Sequence, residues 1–130
     1  MLELFAQQAP RSVENFLQYA RDGFYDGTLI HQVTANNSFQ AGTYDQNLAA
    51  KPTRNPIPNE SNNGLSNTRG RVAVVEPDGV DTGTSAFVVN LADNRGQDFN
   101  LETGQRGRTV FGQIIEGIEV ADAIGTAATT

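Results

Sequence analysis

From residue 29 onward, one short strand-like stretch follows another with no helical period between them until the chain is nearly finished. This succession constrains the fold more than any other feature. Residues 29–33, 38–42, 71–76, 85–91 and 108–115 each read as a strand bounded by turn-forming residues. Leu2 and Leu4, alternating with Glu3, add a short strand at the start. Asn36 and Asn37 supply a turn between the second and third stretches, because a short amide side chain tolerates unusual backbone angles. A chain of this kind is expected to be mainly β and to close its strands into a barrel.

Two helices interrupt the pattern. Pro10 can open the first, since its missing N–H would find no partner in a first helical turn. Val13, Phe16, Leu17 and Ala20 then form one apolar stripe, and Gly23 can take the left-handed position that ends it. That stripe needs a sheet or a barrel end to cover. The second helix is expected over residues 117–124, with Ile118, Ala121 and Ile124 on one side. Residues 43–68 hold Pro52, Pro56 and Pro58 among Asn-rich links. A long irregular span inside a compact domain often builds a binding surface.

Residues 1–130 have the length of one domain. Charged residues make up only 18%, and seven Phe and three Tyr require burial, so disorder is a poor alternative. A formal net charge of −6 with no Lys/Arg cluster excludes nucleic acid as a natural partner. No run approaches the roughly 20 apolar residues that cross a bilayer, so membrane insertion is not expected. The start of the chain lacks the basic opening and apolar run of a secretion signal. A cytoplasmic location follows as the expectation, with an exported one open if a signal segment has been removed. Cysteine is absent and His31 is the single histidine, so neither thiol chemistry nor a recognisable metal set is expected. The turn at Gly104-Gln105-Arg106-Gly107 lacks the Lys-Ser/Thr ending of a phosphate loop, and Asp78 and Asp81 lack calcium-loop spacing. No cofactor is expected.

One stretch carries more. Gly23-Phe24-Tyr25-Asp26-Gly27-Thr28-Leu29-Ile30-His31-Gln32-Val33 is followed by Asn37-Ser38-Phe39-Gln40-Ala41-Gly42, Thr84-Ser85-Ala86-Phe87-Val88-Val89 and Thr109-Val110-Phe111-Gly112. With Ala9-Pro10-Arg11-Ser12-Val13-Glu14-Asn15-Phe16 and the segment Asn59-Glu60-Ser61-Asn62-Asn63-Gly64-Leu65-Ser66-Asn67-Thr68-Arg69-Gly70, these resemble the bacterial members of the cyclophilin family of peptidyl-prolyl isomerases, in the same order and over nearly the whole chain. The resemblance implies an eight-stranded β-barrel with a helix capping each end and a proline-peptide groove on its outer face. Its clients would be proline-containing peptides or unfolded proteins. The chain departs from the family at both ends: only a remnant of a first strand precedes Phe5, and no closing strand follows Thr126. The barrel is thus expected to be open, completed by another chain, or represented by a shortened sequence. A monomer is expected unless exposed strand edges pair between chains.

The resemblance also implies site residues. The family's catalytic arginine falls at Gln32, beside His31, and its active-site glutamine at Gln40. The floor before that glutamine falls at Asn37 and Ser38, small and polar here. Peptide-gripping backbone falls near Val75 and Glu76; a second glutamine becomes Ala86, an aromatic stays as Phe87, and the proline-pocket phenylalanine becomes Val88. Leu101 takes a further pocket position, and Arg108 stands before Val-Phe-Gly. Isomerisation twists an amide across a barrier of about 18–20 kcal/mol, helped by a donor to the prolyl nitrogen. Gln32 is a shorter, neutral donor than arginine. The expectations are therefore a weakened isomerase or a silent peptide-binding or scaffold domain, with Arg108 a rival donor from the opposite wall. His31 and Phe87 each also admit a purely structural role.

Overall fold

A computed structural model of the protein describes residues 2–125; the expectation about the closing strand falls on residues 126–130, outside them. The elements follow in the order β1 (Leu2–Leu4), α1 (Pro10–Arg21), β2 (Ile30–Thr34), β3 (Ser38–Ala41), β4 (Arg71–Val74), β5 (Phe87–Asn90), a 3-10 turn (Arg95–Gln97), β6 (Val110–Ile114) and α2 (Ile118–Gly125). Each strand-like stretch has become a strand; β2 keeps its expected length one residue further on, and β3 to β6 are shorter than their patterns. Asn36 takes the left-handed conformation, with φ of 56°, at the turn between β2 and β3.

The strands form one six-stranded antiparallel sheet in the order β1-β6-β4-β5-β3-β2. This corrects the expectation of an eight-stranded closed barrel. β1 pairs only with β6 and β2 only with β3, so the sheet keeps two edges. Closure needs a strand to join those edges at a consistent stagger, and among the described residues none does so.

α1 covers the inner face of the sheet. Phe16 lies 5.2 Å from Phe111 and meets Phe87 edge-on at 5.9 Å, while Val13 and Tyr19 are buried. Val13, Phe39, Val72, Val89, Leu91 and Phe111 belong to one core, which Ile118 and Ile124 of α2 join. An apolar trough of about 460 Å³ remains on this side, lined by residues such as Leu2, Phe39, Val72, Val89, Val120 and Ile124.

Ala9 gives α1 no side-chain cap. Glu60, from the long loop, does so instead: one carboxylate oxygen accepts from the Ser12 backbone N–H at 2.7 Å and the Ser12 hydroxyl at 2.8 Å, the other from the Arg11 N–H at 3.3 Å. A carboxylate at a helix N-terminus satisfies orphan donors and complements the helix dipole. Arg69 anchors α2 through two bonds to Asp122, at 2.5 and 2.7 Å.

The loop before β4 covers the outer face over the central strands and leaves Gln32 on β2 exposed. Leu65, Phe5 and Val75 pack on Ala73, Val88 and Val110, all three fully buried. The central strands are therefore covered on both sides, which explains their nearly continuous apolar runs.

Candidate functional site

Residues directly opposite on neighbouring strands share a face of the sheet. The pairs Gln32–Gln40, Gln40–Val88, Val88–Ala73 and Ala73–Val110 thus make one transverse row from β2 to β6 on the outer face. The intervening row, with Val33, Phe39, Val89 and Val72, fills the inner core. Beyond the strand ends the ladders continue. Val75 N–H donates to Ala86 O at 3.1 Å, and Val74 N–H to Thr109 O at 2.9 Å. A second outer row follows from this register: Ala86, Val75 and Arg108.

Six of the residues singled out from the sequence are therefore brought together, with Gln32, Gln40 and Val88 in the first row and Ala86, Val75 and Arg108 in the second. Glu76 and Leu101 border a cavity of about 830 Å³ that Val75 and Arg108 also line. Leu101 stands on its rim, 84% exposed.

Phe87 is not part of this face. Phe87 pairs with Val74 and Ala41 and turns inward, meeting Tyr25 edge-on at 5.5 Å. It fills the core. His31 is the extra residue of a β-bulge, for Ile30 pairs with Ala41 and Gln32 with Gln40. Its ring lies edge-on to Tyr44 at 4.9 Å, and its Nδ1 is buried without a partner among the described residues. Burial lowers its pKa below the ordinary histidine value. By interposing one residue, the bulge brings Gln32 rather than His31 into register with Gln40.

Of the floor positions, Ser38 is buried opposite Asn90, while Asn37 is exposed and donates to Asn94 Oδ1 at 3.0 Å. Val88 is fully buried beneath the Leu65 cover, too short to present a wall to anything outside. Gln32 is exposed and Gln40 half-buried, so the accessible chemistry of the first row is that of two neighbouring neutral amides.

The Glu76 side chain serves the covering loop, apart from the backbone role that the resemblance implies near it. Its Oε1 accepts from Asn59 Nδ2 at 2.7 Å and its Oε2 from the Asp81 N–H at 2.7 Å. Asn59 also reaches Gly107 O at 2.8 Å, Asn63 reaches Val110 O at 3.2 Å, and Asn67 bonds Asp98. These asparagines sew the covering loop to the segment that carries Arg108. In the sequence they stand among the Asn-rich links and in the segment 59–70 with no role of their own; their regular spacing along the loop was the available signal. Burial lowers the Arg108 pKa, and the guanidinium stays charged. No cluster of three or more His, Asp or Glu suited to a metal, and no helix long and apolar enough to cross a membrane, occurs among the described residues.

The family model for cyclophilin-type peptidyl-prolyl cis-trans isomerase/CLD matches residues 1–130. The chain belongs to the cyclophilin-type family. It is 40% identical over 129 residues to a peptidyl-prolyl cis-trans isomerase of Acinetobacter baylyi, covering 99% of this chain and 68% of that protein. It is 38% identical over 130 residues to peptidyl-prolyl cis-trans isomerase B of Escherichia coli, covering 99% and 79%. Among solved structures, a cyclophilin-type isomerase of Cryptosporidium parvum, crystallised in the presence of the dipeptide Ala-Pro, superposes with a TM-score of 0.78 at 19% identity, over 99% of this chain and 80% of that one. That likeness bears on the fold alone. Within this cyclophilin-type sheet, the outer rows are where the register brings residues implied by the resemblance side by side.

Proposed function

We propose that the outer face around Gln32, Gln40 and Val88 binds X-Pro segments and accelerates their cis-trans exchange weakly. The observation that supports this most directly is the placement of Gln32 and Gln40 as cross-strand partners with Val88 beside them in one row. A substrate laid across that row would meet two amide side chains able both to donate and to accept. Gln40 would hold a flanking carbonyl, and the Gln32 amide would donate to the prolyl nitrogen as it becomes pyramidal. No covalent intermediate is needed, because the acceleration comes from binding the twisted amide better than either planar isomer. The activity is expected to be low for two reasons. Gln32 brings no charge to the developing lone pair, and Val88 lies below the surface instead of gripping the proline ring.

The sunken Val88 also favours a second reading, a binding module with no catalysis. Exchange spectroscopy on a short Ala-Pro peptide separates the two. Acceleration that scales with protein concentration and disappears in Gln40→Ala supports the isomerase. Binding without any acceleration, even at high protein concentration, selects the module.

A further inference from the structure

The cavity beside the second row contains a cation that has no counter-charge among the described residues. Its other charged groups are occupied or peripheral. Glu76 accepts with both carboxylate oxygens, and Asp98 Oδ1 accepts from Asn67 N–H and Nδ2 at 2.7 and 2.9 Å. Arg95 pairs with Asp93 at 3.4 Å, and Arg106 lies over the Phe99 ring at 5.4 Å from its centroid. Glu102 sits on the exposed rim. Arg108 differs from all of these: it is half-buried on the wall, and among the described residues no ion pair or side-chain hydrogen bond holds its guanidinium.

A partly desolvated guanidinium facing an open cavity is a receptor for a planar anion, since its fork matches a carboxylate and charge-assisted bonds are roughly twice as strong as neutral ones. Its position is equally informative. Two strand spacings and two residues of rise separate Arg108 from Val88, about 12 Å along the sheet. An extended peptide crossing the first row covers that distance, less the reach of the arginine, in about two to four residues.

We propose that Arg108 and its cavity select X-Pro peptides that carry an aspartate or glutamate about two to four residues from the proline. This rests on the reading of the first row as the X-Pro site. The carboxylate of such a peptide docks in the cavity against Arg108, which acts as a specificity determinant and leaves the bond rotation to the first row.

The test is a set of proline peptides with Glu, Gln or Lys placed at each position two to four residues on either side of the proline. Affinity is read by titration, and exchange by NMR, for the wild type, Arg108→Gln and Arg106→Gln. At low salt the best Glu peptide is expected to bind roughly five- to tenfold tighter than its Gln counterpart, and Lys to be the poorest. The preference should vanish in Arg108→Gln, survive in Arg106→Gln, and shrink as salt rises. Equal affinities for Glu, Gln and Lys peptides, with exchange still accelerated, would overturn acid selection while leaving the first-row reading intact. A Glu preference that survives Arg108→Gln also overturns it. If no peptide is bound or turned over, the X-Pro reading fails and takes this proposal with it. Should Arg108→Gln not fold, Arg108→Lys replaces it; it keeps the charge without the fork, and the preference must then fall.

Discussion

Gln32→Arg is the most informative substitution in this chain, because the structure bounds both its benefit and its harm. Gln32 is exposed on the edge strand β2 and pairs through the backbone with Gln40 alone. An arginine there displaces no core side chain, and the change in stability should stay within about 0.5 kcal/mol. The benefit is the difference between a neutral and a charged donor. Neutral hydrogen bonds contribute about 0.5–1.5 kcal/mol and charged ones about 1.5–3, so the gain in transition-state binding is about 1–1.5 kcal/mol. That corresponds to roughly a five- to tenfold rise in kcat/KM. Larger factors of about 10²–10³ belong to donors in water-excluded sites, and this face is open.

Val88→Phe is expected to behave differently. Val88 is fully buried among Ala73 and Val110 with Leu65 packed over them, so a ring must displace the cover. Overpacking of that kind costs about 1–3 kcal/mol. The assay is exchange spectroscopy on an Ala-Pro peptide, with urea unfolding of each variant as the stability reading. If Gln32→Arg folds with wild-type stability and its rate stays within about twofold of wild type, the donor argument is wrong. If Val88→Phe raises the rate at no cost in stability, the description of Val88 as covered is wrong.

Three other outcomes are expected. Glu60→Ala removes the N-terminal cap of α1 and strands the buried Ser12 groups, for a loss of about 2–3 kcal/mol in urea unfolding; a loss below about 0.5 kcal/mol would mean that another group caps the helix. Gly107→Ala would place a Cβ 2.1 Å from Gln97 O and 2.4 Å from the Asp98 carbonyl carbon, so the cavity wall must shift, with a lowered Tm and a weaker preference for acidic peptides as the readings. The His31 pKa is lowered in the fold, so its contribution to stability is complete above the unfolded value of about 6.5 and declines as pH falls below it. Unfolding measured from pH 7.5 to 5 should show that decline, and His31→Gln should flatten it; an NMR titration of the single imidazole with an unshifted midpoint would contradict the cause.

The elements of the fold were legible because their signals are local. Most of the α1 stripe follows from a 3.6-residue period together with Pro10 and Gly23, although Ala20 is exposed and Tyr19 is buried instead, and the turn at Asn36 follows from a side chain that tolerates positive φ. Closure was not decided by such local signals, and an open barrel stood only as one of three expectations. β1 meets β6 across almost the whole chain, and whether two edges then find each other depends on the stagger and twist of every strand between them. The cap on α1 was hidden for the same reason, since Glu60 lies 48 residues from Ser12.

The site was legible to the extent that strand alternation had been applied to it. Resemblance alone treats Phe87 and Val88 as neighbours in a pocket. A period of two sends them to opposite faces, and the register then decides which of them accompanies Gln40. The bulge at His31 is the reverse case: alternation along β2 does not reveal that one residue has been inserted, and only the pairing of Ile30 with Ala41 and Gln32 with Gln40 exposes it. The same reasoning separates the two rows chemically. The first row carries neither a charge at Gln32 nor a ring at Val88, whereas the second has at Arg108 a guanidinium that no described carboxylate neutralises. If the first row is the X-Pro site as proposed, such a face offers less to the prolyl bond itself and more to the residues flanking it. On the proposed reading of the first row, that contrast is what makes sequence context the property to measure.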